Sequence, residues 1–220
     1  MTRAVIVGSN RGIGLEICSQ LAARGDEVIA TCRHSSPELD RLGVDVRAGV
    51  DVTERASLDA LARAIEPESV DWLVVVAGIL ERMRLDALDF DSIRRQFEIN
   101  AIGPLQTTTA LLPTLAKSAK LGLVTSRMGS LADNTSGASY GYRMSKAALN
   151  MAGRSLAHDL RPRGVAVLLL HPGWVRTDMT DGQGHIDAGE AAAGLIARMD
   201  ELTLERSGSF VHQNGDALPW

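Results

Sequence analysis

The segment Gly8-Ser9-Asn10-Arg11-Gly12-Ile13-Gly14 lies where a short β-branched run, Ala4 to Val7, gives way to a helical one, Gly12 to Arg24. Passing from extended to helical backbone within so few residues needs positions free of a Cβ. A strand that feeds directly into a helix commits the next strand to return parallel, through a right-handed crossover. Glycines here also let a phosphate approach the backbone, and the helix start offers unbonded N–H groups and a positive dipole end. The spacing is G-x-x-x-G-x-G rather than the commoner G-x-G-x-x-G. A glycine-rich turn can be only a turn. Its place between first strand and first helix favours a dinucleotide site that uses Gly8, Asn10, Arg11, Gly12, Ile13 and Gly14.

The remaining chain keeps the alternation. Helical spacing of Ile13, Ile17 and Leu21 predicts the first helix, which Gly25 ends. Strands are predicted at Glu27 to Cys32, Val44 to Val50, Trp72 to Val76, Leu121 to Thr125, Val165 to Leu170 and Gly208 to His212. Helices are predicted at Thr53 to Ile65, Phe90 to Thr114 with a break near Gly103-Pro104, Tyr140 to Leu160 and Glu190 to Met199. The pattern predicts one doubly wound α/β domain over residues 1–220, with a central parallel sheet of about seven strands. The sequence is 45% hydrophobic but only 4% aromatic, so Val, Leu, Ile and Ala must fill the core. The irregular stretch Gly173 to Gly189 falls at the carboxyl edge of the sheet, where ligands bind. It reads as a substrate lid rather than an ordinary surface loop.

Charge and cysteine usage narrow the function. The net charge is −4 and no long basic run occurs, so nucleic acid and anionic membranes are poor partners. No apolar stretch approaches the ~20 residues that span a bilayer, and the apolar run at the N-terminus is too short for a signal peptide. Cys18 and Cys32 form neither a metal-ligand pattern nor a disulfide framework, which points to a reduced, cytoplasmic setting. His34, His158, His171, His185 and His212 are scattered, and no metal site is expected.

Tyr142-Arg143-Met144-Ser145-Lys146 places a phenol and an ammonium on one helical face. A lysine there can stabilise a tyrosinate and lower a phenol pKa that starts near ~10. Such a phenol can exchange a proton with a carbonyl oxygen near neutral pH. At the end of the second strand, Ala30-Thr31-Cys32-Arg33, the carboxylate that would bond a ribose 2′-hydroxyl is missing. Arg33, with Arg11, can instead meet a 2′-phosphate, so NADP is expected over NAD.

Taken in order, these motifs resemble the short-chain dehydrogenase/reductase family over essentially the whole chain. Asp51-Val52 follows the third strand, Ala77-Gly78 the fourth, Ser126 the fifth and Pro172-Gly173 the sixth; Asn100 lies in the long helical region and Thr177 beyond the sixth strand. The segment Ser126 to Ser130, with Asp133 to Gly137 and the Pro219-Trp220 ending, is similar to the C-factor and sniffer-like carbonyl reductases of that family. The resemblance implies a catalytic set of Asn100, Ser126, Tyr142 and Lys146. Tyr142 would be the general acid, Lys146 its electrostatic partner and a ribose ligand, Ser126 the substrate-oxygen donor, and Asn100 the holder of a water leading to Lys146. It also implies cofactor contacts at Asp51, Val52, Ala77, Gly78, Asn100, Tyr142, Lys146, Pro172, Gly173, Val175 and Thr177. Ser126, Met128, Tyr142 and Trp174 would face a small carbonyl substrate.

Two departures stand out. The family's Asn-Asn-Ala-Gly is Val75-Val76-Ala77-Gly78, where apolar packing is expected to replace an asparagine contact. Ser126 precedes Tyr142 by sixteen residues, a little more than is usual, and Ser130 is a rival for its role. The implied activity is NADPH-dependent reduction of an aldehyde or ketone, or the reverse oxidation; reduction of a pteridine or acyl thioester is the alternative within the enzyme class. The rival is a nucleotide-binding signalling protein of C-factor type with little turnover. Association into a dimer or tetramer through the Asn100 and Tyr142 helices would use Leu111, Leu115, Leu149 and Leu156, unless these belong to the core.

Overall fold

A computed structural model describes residues 1–220. Seven parallel strands form one sheet in the order β3-β2-β1-β4-β5-β6-β7. The strands are β1 (Arg3–Val7), β2 (Glu27–Thr31), β3 (Asp45–Arg47), β4 (Val70–Val75), β5 (Leu115–Val124), β6 (Ala166–His171) and β7 (Ser209–His212). The main helices are α1 (Gly12–Arg24), α2 (Pro37–Asp40), α3 (Arg55–Arg63), α4 (Phe90–Phe97), α5 (Gly103–Leu111), α6 (Tyr140–Asp159) and α7 (Ala188–Asp200). The expected doubly wound architecture is thus present, with the order reversing between β1 and β4.

Period-two alternation explains why helices cover both faces. In β1, Val5 and Val7 enter a core shared with Leu58 and Leu61 of α3, Leu111 of α5 and Leu149 of α6. Ala4 and Ile6 enter the opposite core, with Ile17 and Leu21 of α1 and Leu195 and Met199 of α7. Both sides are aliphatic, and each fully buried Leu or Ile contributes on the order of 1.5–3 kcal/mol before the entropy of ordering is counted. Leu111, Leu115, Leu149 and Leu156 are all buried in the first of these cores, so they are core and not a docking face. Val75 and Val76, where the family has asparagines, pack against apolar neighbours.

Three elements differ from the sequence expectation. The long helical region breaks earlier than Gly103-Pro104. Residues Glu98–Ile102 form a π-helical turn, and Pro104 sits in the first turn of α5, where its missing N–H costs nothing. β5 begins six residues before Leu121 and is bulged, its register against β4 shifting between Val70 and Trp72, with Ser118 at φ 66°. The short α2 has too few apolar residues to show a period. Its start is set by Ser36, whose hydroxyl accepts from Leu39 N–H.

Candidate active site

The β1/β4 reversal leaves a crevice at the carboxyl edge of the sheet. The glycine turn forms one wall. Gly8 has φ +94°, and a Cβ there would sit 2.8 Å from the backbone nitrogen of Ala77, so the turn after β1 can approach the end of β4 only as glycine. The start of α1 carries no side-chain cap and no acidic residue in its first turn, which leaves its N–H groups and dipole end free for an anion. The Ser36 hydroxyl donates to the Asn10 carbonyl at 2.7 Å, tying the loop after β2 to the turn. Arg33, on that loop, is exposed and has no carboxylate partner, whereas Arg11 reaches Asp178 at 3.1 Å. These residues fit a phosphorylated dinucleotide: a Cβ-free turn, a bare helix start, and an arginine without an acid in place of a ribose-binding carboxylate.

Four polar side chains meet on the other side. Asn100, fully buried in the π-helical turn, donates through Nδ2 to the Ile79 carbonyl at 2.8 Å and to Ser145 Oγ at 3.0 Å, and accepts at Oδ1 from Ile79 N–H at 2.8 Å. The π turn thus ties Asn100 to the segment after β4 and to α6. A Cβ on Gly78 would lie 3.1 Å from Asn100 Oδ1 and 3.5 Å from Lys146 Nζ, so glycine there lets these two groups converge. Lys146 Nζ donates to the Val124 carbonyl at 2.9 Å and stands 5.8 Å from the centre of the Tyr142 ring. Ser126, at the end of β5, accepts from Met128 N–H at 3.1 Å and caps a short turn, Arg127–Gly129. Ser130 accepts from Asp133 N–H and serves as a loop cap, which leaves Ser126 as the serine facing Tyr142.

Burial rules the electrostatics. It raises the Tyr142 phenol above its ordinary pKa, with the Ser126 hydroxyl offsetting part of the rise. Burial outweighs the expected lowering in the free protein, where the Lys146 ammonium donates to the Val124 carbonyl. Lys146 itself is pulled down to about 8 by burial. Its folded-state pKa therefore lies below the ordinary lysine value of 10.5. Charging it costs the folded state fully below pH ~8, and that cost fades as pH rises toward ~10.5. Lys146→Met should remove about 3 kcal/mol of this cost while losing a hydrogen bond worth ~1–2 kcal/mol. We expect a melting temperature a few degrees higher at pH 7, with the gain shrinking above pH ~8, as calorimetry across that range would read.

The segment that follows β6 forms the third side. It holds Pro172, Gly173, Trp174, Val175 and Thr177, and is pinned by a bridge between Val175 and Ile186. Val175 is buried, and Thr177 packs its methyl within 3.6 Å of where a Gly12 Cβ would be. Trp174 is half exposed and meets His185 edge-on at 4.8 Å. Asp51 follows β3 at the same edge and accepts from Thr53 N–H; its neighbour Val52 is buried against Gly103. His171 ends β6 half-buried beside His212, with its Nδ1 buried and unpartnered and its pKa driven down to about 3, a neutral strand-end residue.

Several site residues were not foreseen. Ile79 supplies the backbone that locks Asn100, and no side-chain signal marks it. Ser145 bonds both Asn100 and the Tyr142 carbonyl. Asn150, at i+4 from Lys146, accepts from the Thr125 hydroxyl at 2.7 Å and so holds α6 on the end of β5. Spacing from Tyr142 and Lys146 could have marked these last two. No cluster of His, Cys, Asp or Glu capable of holding a metal ion is present, and no helix is long and apolar enough to cross a membrane.

Known proteins share this arrangement. The short chain dehydrogenase family profile matches residues 2–186. The chain is 47% identical to the 1-hydroxy-2-glutathionyl-2-methyl-3-butene dehydrogenase of Rhodococcus sp. (strain AD45), with 100% of both chains covered. It is 47% identical to the C-signal of Myxococcus xanthus over 69% of this chain and 93% of that one. The carbonyl reductase Sniffer of D. melanogaster superposes with a TM-score of 0.94 at 27% identity, over 100% of both chains. An NADPH-bound carbonyl reductase from chicken fatty liver superposes at 0.92 and 28% identity, over 100% of this chain and 99% of that one. The glycine turn, the α/β order and the Tyr142-Lys146 helix therefore have one common explanation: the chain belongs to the short-chain dehydrogenase family of oxidoreductases.

Proposed function

We propose that this chain interconverts a carbonyl compound and its alcohol with NADP(H), and that Tyr142 moves the proton. The observation that carries the reading is that Asn100 and Lys146 converge beside Gly78, with the Tyr142 ring beside Lys146 and its phenol beside Ser126. The nicotinamide, when bound, supplies or takes the hydride. Gly8, Asn10, Arg11, Gly12, Ile13 and Gly14 would hold the pyrophosphate, and Arg33 with Arg11 the 2′-phosphate. Asp51 and Val52 would border the adenine, Ala77, Gly78 and Lys146 the ribose, and Pro172, Gly173, Val175 and Thr177 the carboxamide.

Ser126 donates to the substrate oxygen and polarises it. Tyr142, protonated at neutral pH because its pKa is raised, gives its proton to that oxygen as negative charge develops there. The charged form of Lys146 then stabilises the tyrosinate left behind. Asn100 places a water toward Lys146 through a carbonyl oxygen, since both of its amide hydrogens are committed. Met128 and Trp174 border the substrate.

Turnover of NADPH and NADH over aldehydes, ketones and quinones tests the reaction. The panel should include alcohols that carry a glutathionyl group, the feature named for the Rhodococcus relative. Arg33→Ala tests the cofactor choice. It should raise the Kd for NADPH about tenfold or more and leave NADH within twofold, since the two cofactors differ only at the 2′-phosphate. Equal losses would sink the assignment.

The Myxococcus relative favours one second reading, a signalling protein that binds the nucleotide with little turnover. Tight NADPH binding with no oxidation of any panel compound would support it. Reduced Cys18 and Cys32 accord with action in the cytoplasm. For a dimer or tetramer, the exposed Ile102, Leu105, Met144 and Met151 are the apolar surface available on α5, α6 and the preceding π turn.

A further inference from the structure

The lid carries two acids around one short helical turn, Asp178–Thr180, and they reach opposite walls of the crevice. Asp178 meets Arg11 of the glycine turn at 3.1 Å. Asp181 meets Arg82 at 3.6 Å, on the segment that follows β4. That segment is tightly placed. Ile79 is fixed by Asn100, Glu81 N–H donates to Gln96, and the Met83 carbonyl accepts from Ser139 N–H, three residues before Tyr142. Arg82 thus stands at the rim between the start of the Tyr142 helix and the lid.

Its neighbours differ from it. Arg84 pairs with Asp86, Arg94 with Asp91 and Arg95 with Glu81, each within the same stretch of chain. Arg82 alone among them turns across to the lid. Its pair with Asp181 is a single long contact between side chains that are 51% and 78% exposed. Such a pair is weak and readily exchanged. It also leaves the flat guanidinium fork, which suits a carboxylate bound by two parallel hydrogen bonds, largely unused.

Resting on the carbonyl/alcohol reading of the site, we infer that Arg82 is a specificity-determining residue that binds a carboxylate on the substrate, and that Asp181 occupies it in the free protein. The favoured substrates are then carbonyl or alcohol compounds whose reacting carbon is apolar-flanked and whose far end is a carboxylate. The lid acid keeps the mouth selective: a neutral substrate gains nothing at Arg82, while an anionic one displaces Asp181 and gains a fixed cation.

The test compares 4-carboxybenzaldehyde with its uncharged methyl ester. Arg82→Ala should lower kcat/KM for the acid roughly five- to tenfold and leave the ester within twofold. Asp181→Asn should raise kcat/KM for the acid and leave the ester unchanged, and the preference for the acid in the unaltered protein should shrink as salt is added. A parallel shift of acid and ester in either variant would overturn the inference. Binding of 4-(hydroxymethyl)benzoate by calorimetry with NADPH present, a pair that cannot react, gives a second reading that needs no turnover. Weaker binding to Arg82→Ala supports the contact, and equal binding rejects it. Failure of the reductase reading shows separately, as no turnover of acid or ester, and the binding comparison still decides the role of Arg82.

Discussion

Tyr142→Phe is expected to reduce kcat/KM for carbonyl reduction by about 10³ or more while leaving NADPH binding within twofold. The change removes one oxygen and its proton and keeps the ring, which is buried beside Ser126 and Lys146. Proton transfer by a positioned side chain is worth roughly 10²–10⁴. The upper part of that range applies here, because no other proton donor in the crevice can take over. Ser126 is a weak acid, and the Lys146 ammonium is turned to Val124. The burial of Tyr142 gives this prediction a directional companion. With its pKa raised, the phenol is a proton donor at neutral pH and becomes a base only in alkaline solution. Reduction should therefore stay level through neutral pH, and alcohol oxidation should climb as pH rises. Lys146, at about 8, loses its charge within the same interval, so the reductive limb should begin to fall there as the tyrosinate loses its cation. A stopped-flow record of cofactor oxidation, with binding followed by fluorescence in the same samples, separates chemistry from affinity. Retention of more than a tenth of the activity by the phenylalanine variant would remove Tyr142 from the chemistry.

Much of this molecule could be read from its residues, and the reasons differ by element. The ends of α1 were legible because Gly12 and Gly25 mark them, and the latter is a left-handed C-cap at φ 87°. The buried strands were legible because Val70–Val75 and Ala166–His171 are almost continuously apolar, as strands covered on both faces must be. The π turn at Asn100 was not legible. It arises because the asparagine amide finds a backbone partner, Ile79, twenty-one residues away, and tertiary bonds of that kind leave no local pattern. The net direction of the Tyr142 shift was not legible for a related reason. Spacing on a helix predicted proximity to Lys146, and proximity holds, but the direction of the ammonium depends on the Val124 carbonyl at the end of another strand. The same limit hid the pairing of Arg82 with Asp181, which only the folded chain brings together.

Gly14→Ala is expected to unfold the cofactor half of the crevice, with a loss of several kcal/mol in stability and at least a hundredfold in NADPH affinity. Two effects oppose each other at this position. Alanine is the better helix residue by ~1 kcal/mol, and Gly14 lies inside α1 with an ordinary backbone conformation, so local propensity favours the substitution. Packing opposes it. A Cβ on Gly14 would overlap the carbonyl oxygen of Gly8 and lie 2.9 Å from its carbonyl carbon and 3.2 Å from the Cα of Ser9. These are backbone atoms, and none can swing aside as a side chain would. Gly8 is held from below by its N–H bond to Thr31 O and from the side by Ala77. The helix must therefore lift from the turn, which opens the contacts of Ile17 and Leu21 with the sheet, and burial of each such side chain is worth ~1.5–3 kcal/mol. The steric cost exceeds the helical gain by severalfold, so the net sign is destabilising. Gly12→Ala makes the informative contrast. Its Cβ meets only the Thr177 methyl at 3.6 Å, and its φ of +54° carries a cost of ~1–2 kcal/mol for any residue with a Cβ. It should lose stability modestly and keep its fold. Thermal unfolding of the two variants side by side, each with and without NADPH, reads both effects. A melting temperature for Gly14→Ala at or above that of the unaltered protein would mean that the turn yields more easily than its backbone contacts imply.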